Sequence, residues 1–394
     1  MDELISNRNF ASDKKTGFKS IEKIGKIVLF VLIRFWKACS IALLFLFLLY
    51  WLYGGIVTLL LLICAFVGAF YHYQDALSYF PDQPENSRIF VQSPRFLGLP
   101  YENLHITTKD GVVLNAIFLK QAGARLGIAP TIIMFHGNAG NIGHRLINAH
   151  VLYSYTGSNI FMLDYRGYGK SDGSPSEKGF ELDAVASIEY LLSRSDIDHE
   201  KIILHGRSLG GAVAFSLSSM EQYADILFAV VVENTFTSIP DMSKHLFKYL
   251  KQLPSWCYKN KYPSIDRVKS ITTPTLFLSG LADQLVPPKH MSKLYNLSGA
   301  YVKRIETFET GTHNETWQCH GYTDVINRFL NEVYEARKQG LIPVTSRNLV
   351  LPTPRLFTIT QHHEKCETNF VLYLNKRGAA LIKIIKVKDH SSIS

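Results

Sequence analysis

The sequence predicts an α/β fold, a mostly parallel sheet flanked by helices, behind an N-terminal transmembrane helix. Three observations carry this expectation. From about residue 131 onward short, nearly continuous apolar runs alternate with helical patterns, as expected of parallel strands covered on both faces. Residues 38–71 hold no charged side chain over 34 positions, whereas about 20 apolar residues suffice to cross a bilayer. Gly206-Arg-Ser-Leu-Gly210 falls between an apolar run and a small-residue helix pattern, the strand-turn-helix setting that exposes a strained serine.

Residues 1–37 form a basic N-terminal region with eight Lys/Arg against four Asp/Glu. Residues 38–71 are the expected membrane anchor. The basic residues Lys14 through Lys37 precede the span and the first ones after it are Arg88 and Arg95, so the positive-inside rule retains the N-terminus in the cytosol. A single crossing makes a type II signal-anchor protein with its bulk luminal or extracellular. Gly54-Gly55 opens an alternative, a hairpin of two short helices that returns the bulk to the cytosol; each half is barely long enough to cross. In a luminal domain the sequons Asn296-Leu-Ser298 and Asn314-Glu-Thr316 would accept glycans.

Residues 72–100 carry several prolines and read as a linker. The α/β domain is expected over residues 101–340. Leu104 to Lys120 has strand-like residues on both sides of Asp110-Gly111, a β-hairpin signature that adds antiparallel strands at one edge. Strands are expected at Thr131 to Phe135, Asn159 to Leu163, Lys201 to His205, Phe228 to Val232, Thr275 to Ser279 and Val302 to Phe308, with helices such as Phe180 to Ser193 and Leu209 to Met220 between them. The connection over residues 235–270 exceeds the usual length and is either a small cap or an ordinary helical crossover. The basic tail, 341–394, has no place in the alternation and takes no function.

The formal net charge of +9 resides at the two ends, +4 over residues 1–37 and +5 over 341–394. The middle is neutral, which excludes a domain-wide nucleic-acid face. The five cysteines form no CxxC pair and no ligand spacing, so no metal is expected. Cys257 and Cys319 are candidates for a disulfide in a luminal domain, or for free buried thiols.

A serine hydroxyl is a weak nucleophile near neutral pH, so Ser208 needs a base and the base an orienting acid. Gly206 and Gly210 permit the sharp turn at the nucleophile. In this type of fold the chain order runs Ser, acid, His. Asp283 in SGLADQLVPP and His313 in ETGTHNETW each follow a strand, in that order. Glu233, after an apolar strand, is the rival acid. Asp164 is placed too early and reads as fixing its own turn, while His136 shapes the adjacent loop and His205 is a core residue. His320 is a distant second base.

These motifs, HGNAGN, DYRGYGKSDGSPSE, GRSLGG, SGLADQLVPP and GTHNETW, resemble those of the α/β-hydrolase superfamily, over about residues 50–335. The resemblance implies an α/β-hydrolase fold and an anchored serine hydrolase with Ser208, Asp283 and His313 in the charge-relay positions. Related anchored members include lipid esterases and palmitoyl-protein hydrolases. The implied partners are the lipid bilayer and an acyl-ester or acyl-thioester substrate, with no cofactor. HGNAGNIGHR lacks the Lys-Ser/Thr pair of a P-loop and the G-x-G-x-x-G of a dinucleotide site, so no nucleotide is expected. The superfamily places its second oxyanion donor here, which makes the backbone N–H of Asn138 or Ala139, with that of Leu209, the expected oxyanion hole. A side chain at its glycines would block the substrate carbonyl. Two rivals are a non-catalytic membrane scaffold of the same fold and an acyltransferase; no His-x4-Asp pattern near the site supports the latter.

Overall fold

A computed structural model describes residues 16–247, 250, 253–342, 371–374 and 380–383. The chain divides into two compact units, Met1–His72 and Tyr73–Ser394.

In the first unit the apolar stretch is two helices where one was expected. Helix α1 spans Thr16–Tyr53 and α2 spans Gly55–Ser78. Gly54 parts them with φ +83°, a left-handed conformation that glycine enters without penalty and that ends a helix. Ile33–Tyr53, 21 residues, and Gly55–Ser78, 24 residues, are each long and apolar enough to cross a membrane by length and composition. The expectation that each half would be barely sufficient therefore does not hold. Nor is residue 72 the end of the helix: α2 continues to Ser78.

The second unit is built on an eight-stranded sheet. Its strands are β1 Tyr101–Thr107, β2 Val113–Leu119, β3 Thr131–Phe135, β4 Asn159–Leu163, β5 Ile202–Arg207, β6 Leu227–Glu233, β7 Thr275–Gly280 and β8 Lys303–Phe308, in the order β1-β2-β4-β3-β5-β6-β7-β8. The β1–β2 hairpin is antiparallel, with Tyr101 opposite Leu119, and β2 runs antiparallel to β4. All later pairings are parallel. The edge hairpin and the parallel remainder match the expected pattern, because every residue of β3, β4, β5, β6 and β7 is buried.

Helices cover both faces. On one, α4 (Glu177–Leu192), α5 (Leu209–Ser218) and α9 (Lys289–Leu297) pack with Phe161, Leu204 and Phe277 into one core. On the other, α3 (Leu146–Thr156) and α10 (Tyr322–Lys338) pack with Met134, Ile203 and Leu276. After β3 the chain moves to β4 on one side and then to β5 on the other, so the order reverses beside β3. The crevice outside the carboxyl ends of β3 and β5 is where open α/β sheets bind ligands.

A short α6 (Glu221–Ala224) precedes β6, and the connection between β6 and β7 holds α7 (Ile239–Leu246), a 3-10 turn at Ser255–Cys257 and α8 (Ser264–Arg267). Cys257 and Cys319 are both free; Cys319 Sγ lies against Thr310 Oγ1 instead. In the tail, Val371–Leu374 pairs antiparallel with Ala380–Lys383; the rest of 343–394 lies outside the described residues.

Candidate active site

Ser208 stands between β5 and α5 with φ 54° and ψ −119°, a conformation sparsely populated by any residue with a Cβ. The turn is locked from both sides. Ser208 N–H donates to the Glu233 carbonyl at 2.9 Å, and its own carbonyl accepts from Thr235 Oγ1 at 2.7 Å and Gly211 N–H at 3.0 Å. The two motif glycines are required by close backbone approach. A Cβ on Gly206 would lie 2.2 Å from the Gly210 carbonyl oxygen, and one on Gly210 would lie 2.1 Å from that of Phe135.

Asp283 and His313 meet this serine. His313 Nε2 is 3.0 Å from Ser208 Oγ and His313 Nδ1 is 2.7 Å from Asp283 Oδ2. A carboxylate only accepts, so Nδ1 carries the proton and Nε2 presents its lone pair to the serine O–H. Asp283 Oδ1 accepts the N–H groups of Leu285 and Val286, both at 2.8 Å, which fixes the carboxylate. Asp283 is 5% and Ser208 8% exposed, so the chain of three is nearly dry while the serine stays reachable.

Residues that sequence reasoning did not single out hold these groups. Asn234, in the left-handed conformation at φ 46°, donates through Nδ2 to the Thr312 carbonyl at 3.0 Å and Thr316 Oγ1 at 2.9 Å. Its Oδ1 accepts Gly280 N–H at 2.8 Å. One side chain thus ties the end of β7, which leads to Asp283, to the loop that carries His313. Arg207 Nη1 donates to the Asn314 carbonyl at 3.1 Å on the other side of His313. The signal available in sequence was an asparagine directly after an apolar strand, where left-handed residues are common.

The loop after β3 passes over Ser208. A Cβ on Gly137 would lie 3.7 Å from Ser208 Cβ, an ordinary contact, so space beside the serine does not by itself forbid a side chain there. Gly140 is required by φ +78°, and Gly143 because a Cβ would lie 2.4 Å from the Gln92 backbone nitrogen. His136 Nδ1–H donates to the Gly137 carbonyl at 2.7 Å, and Arg145 Nη2 donates to that of Ala139 at 2.7 Å. Asn138 is fastened through its side chain, Nδ2 to the Ser78 carbonyl at 2.6 Å and Oδ1 to the Tyr168 hydroxyl at 2.9 Å. Leu209 opens α5, so its N–H belongs to the first turn, which has no intrahelical acceptor.

The other candidates occupy different roles. Glu233 Oε2 accepts from the Tyr322 hydroxyl at 2.6 Å and does not touch His313; burial pushes its carboxyl up. Tyr322 in turn lies 2.9 Å from His205 Nε2. Burial lowers His205 to about 4 and His136 to about 3, so both rings are neutral. Asp164 accepts Ile142 N–H and Asn115 Nδ2, each at 2.8 Å, and burial raises it to about 6; it braces the loops after β3 and β4. His320 lines a groove with Glu306 and Asp324, apart from the serine. Asn296 and Asn314 are both exposed. Among the described residues no group of His, Cys, Asp and Glu could hold a metal ion.

A model of the alpha/beta hydrolase fold matches residues 130–255. Protein bem46 of Schizosaccharomyces pombe is 40% identical over 281 residues, 71% of this chain and 93% of its own. The chain belongs to the α/β-hydrolase superfamily. A relative named an uncharacterized membrane protein, YNL320W of Saccharomyces cerevisiae, is 39% identical over 71% of this chain and 95% of its own. Among solved structures, the Pyrococcus furiosus esterase Pf2001 superposes with a TM-score of 0.51 at 19% identity, over 62% of this chain and 95% of its own, a likeness of fold.

Proposed function

We propose that this superfamily member is a membrane-anchored serine hydrolase that cleaves acyl esters or thioesters. The observation that carries the reading is the continuous relay from Ser208 Oγ to His313 Nε2 and from His313 Nδ1 to Asp283, at 3.0 and 2.7 Å. His313 takes the serine proton as Oγ attacks the acyl carbon, and Asp283 holds the ring's tautomer and stabilises the imidazolium. Negative charge on the former carbonyl oxygen falls to the N–H of Leu209 and that of Asn138 or Ala139. His313 then protonates the departing alcohol or thiol. Water, deprotonated by the same ring, releases the acid and restores Ser208.

The test is covalent labelling of the purified full chain with a fluorophosphonate probe, together with turnover of p-nitrophenyl esters of increasing acyl length. The parent protein labels and turns over. Ser208→Ala loses labelling entirely and turnover by at least about 10³-fold. An unlabelled, folded parent, or equal labelling of Ser208→Ala, overturns the reading.

The break at Gly54 supports a hairpin anchor over the single crossing. Two crossings return the chain to the side on which it began, and the basic residues before Ile33 keep that side cytosolic. The hydrolase domain then faces acyl esters and cytosolic palmitoyl thioesters at the inner membrane surface, and the two sequons go unmodified.

A further inference from the structure

We propose that the stretch from Gln74 to Gln83, where the chain passes from α2 into the hydrolase domain, positions the oxyanion loop through Tyr168 and the side chain of Asn138. This rests on the hydrolase reading above and adds to it a set of positioning residues outside the triad and the donors.

Three backbone atoms of the stretch are used by Asn138 and Gly140 of the loop and by the tyrosine beneath it. The Ser78 carbonyl accepts Asn138 Nδ2 at 2.6 Å, the Gln83 carbonyl accepts Gly140 N–H at 2.6 Å, and Phe80 N–H donates to the Tyr168 hydroxyl at 3.2 Å. Phe80 and Ala139 pair as a parallel bridge. The Tyr168 hydroxyl, fully buried with its ring, also reaches the Asn138 carbonyl at 3.1 Å and Asn138 Oδ1 at 2.9 Å.

The stretch is itself held on its far side. Gln74 donates to the Cys257 carbonyl at 2.6 Å and accepts Lys259 N–H at 2.7 Å. Asp75 accepts Asn260 Nδ2 at 2.6 Å and pairs with Lys259. Tyr79 and Tyr262, both buried, join their hydroxyls at 2.8 Å. The loop is therefore fastened to a support clamped in turn to the segment between β6 and β7.

Planarity of the peptide makes these bonds directional. In a trans peptide the N–H points opposite to the C=O of the same unit. The Gly137 carbonyl, held by His136, aims the Asn138 N–H; the Asn138 carbonyl, held by Tyr168, aims the Ala139 N–H. An oxyanion donor acts over a few tenths of an ångström, so loosening the unit lowers transition-state stabilisation without touching substrate binding. Because Gln74–Ser78 is the last turn of α2, a displacement of that helix end displaces the loop.

The test compares Tyr168→Phe, Asn138→Ala and the double variant with the parent, all as full chains. Tyr168→Phe keeps the buried ring, and Asn138→Ala keeps the backbone donors. Turnover of a short soluble ester and binding of a trifluoromethyl ketone, which forms a tetrahedral adduct with Ser208, are measured on folded protein. Each single variant is expected to lose about 10-fold or more in kcat, a fraction of the 10²–10³ lost when a donor is removed outright. KM is expected to change less than about 2-fold, and ketone affinity to fall with kcat/KM. The double variant is expected to fall no further than the weaker single, since both changes cut one link. Parental kcat and ketone affinity in both singles, or losses confined to KM, overturn this proposal and leave the hydrolase reading standing. A folded parent with no turnover overturns the hydrolase reading itself. Should Tyr168→Phe not fold, Asn138→Ala decides alone.

Discussion

Ser208 is held at φ 54° by its N–H on the Glu233 carbonyl and by the Thr235 hydroxyl on its own carbonyl, and a buried histidine close by in the chain makes the stability of the fold depend on pH. His205, three residues before the serine, is buried among Tyr322, Glu233 and Arg207, with its Nε2 on the tyrosine hydroxyl. Its folded pKa of about 4 lies below the ordinary value of 6.5. Between those values the unfolded chain binds a proton that the folded chain refuses, so this residue's contribution to stability is present above pH 6.5 and is lost as pH falls toward 4. From pH 7.5 to pH 5 the loss is about 2 kcal/mol. His205→Gln removes the titration. Its stability deficit relative to the parent is therefore expected to shrink by about 2 kcal/mol over that interval, measured by denaturant unfolding of the solubilised full chain; an unchanged deficit contradicts a neutral buried ring. Ser208, Asp283 and His313 were legible in sequence because the turn motif is local and the order of its partners follows from strand order. Asn234 and Tyr168 were not. Their parts come from bonds to residues 78 and 30 positions away, which neither periodicity nor spacing records.

At the scale of elements, alternation of apolar runs was enough to place the strands, since β3 through β7 are buried on both faces and show little else. Strand ends were read less well. The strand before Ser208, β5, continues to Arg207, beyond the expected His205, because it pairs with β6 up to Glu233. That extra length delivers Ser208 beyond the sheet edge, beside the loop that leaves β3. The joint between the two elements tolerates no added atom at Gly210, where a Cβ would lie 2.1 Å from the Phe135 carbonyl. Gly210→Ala must push β3 and α5 apart, at a cost of about 3 kcal/mol or more. The expected outcomes are a lowered unfolding midpoint and loss of probe labelling together, because the same displacement withdraws Leu209 N–H from the proposed oxyanion position. An alanine variant with parental midpoint and parental labelling contradicts the close approach. Gly137, with only a 3.7 Å contact to Ser208 Cβ, offers the contrasting position in the same crevice.

For the whole molecule the deciding feature is one glycine. An apolar stretch of 34 uncharged residues reads as one long span until its conformation is known, because hydropathy carries no record of φ. At Gly54 the chain takes φ +83° and the stretch becomes two helices, with candidate spans of 21 and 24 residues. In the proposed hairpin anchor, crossing number sets the side of the hydrolase domain, since each crossing inverts it and a basic flank favours a cytosolic start. With two crossings, Asn296 and Asn314 never meet the glycosylation machinery, although both are exposed. The expected result in intact cells is no mobility shift on glycosidase treatment, together with digestion of the domain by protease only when the plasma membrane is opened and organelles are left sealed. Gly54→Leu provides the complementary measurement. Leucine disfavours the left-handed turn by roughly 1–2 kcal/mol and favours a continuous helix, so a fraction of the variant is expected to cross once and acquire glycans at those asparagines. Glycans on the parent protein contradict two crossings and restore the luminal domain. A parent without glycans and a variant that gains them establishes that the sequons are competent and that the turn at Gly54 keeps the hydrolase on the cytosolic face, where acyl thioesters on proteins and acyl lipids of the inner leaflet come within reach of Ser208.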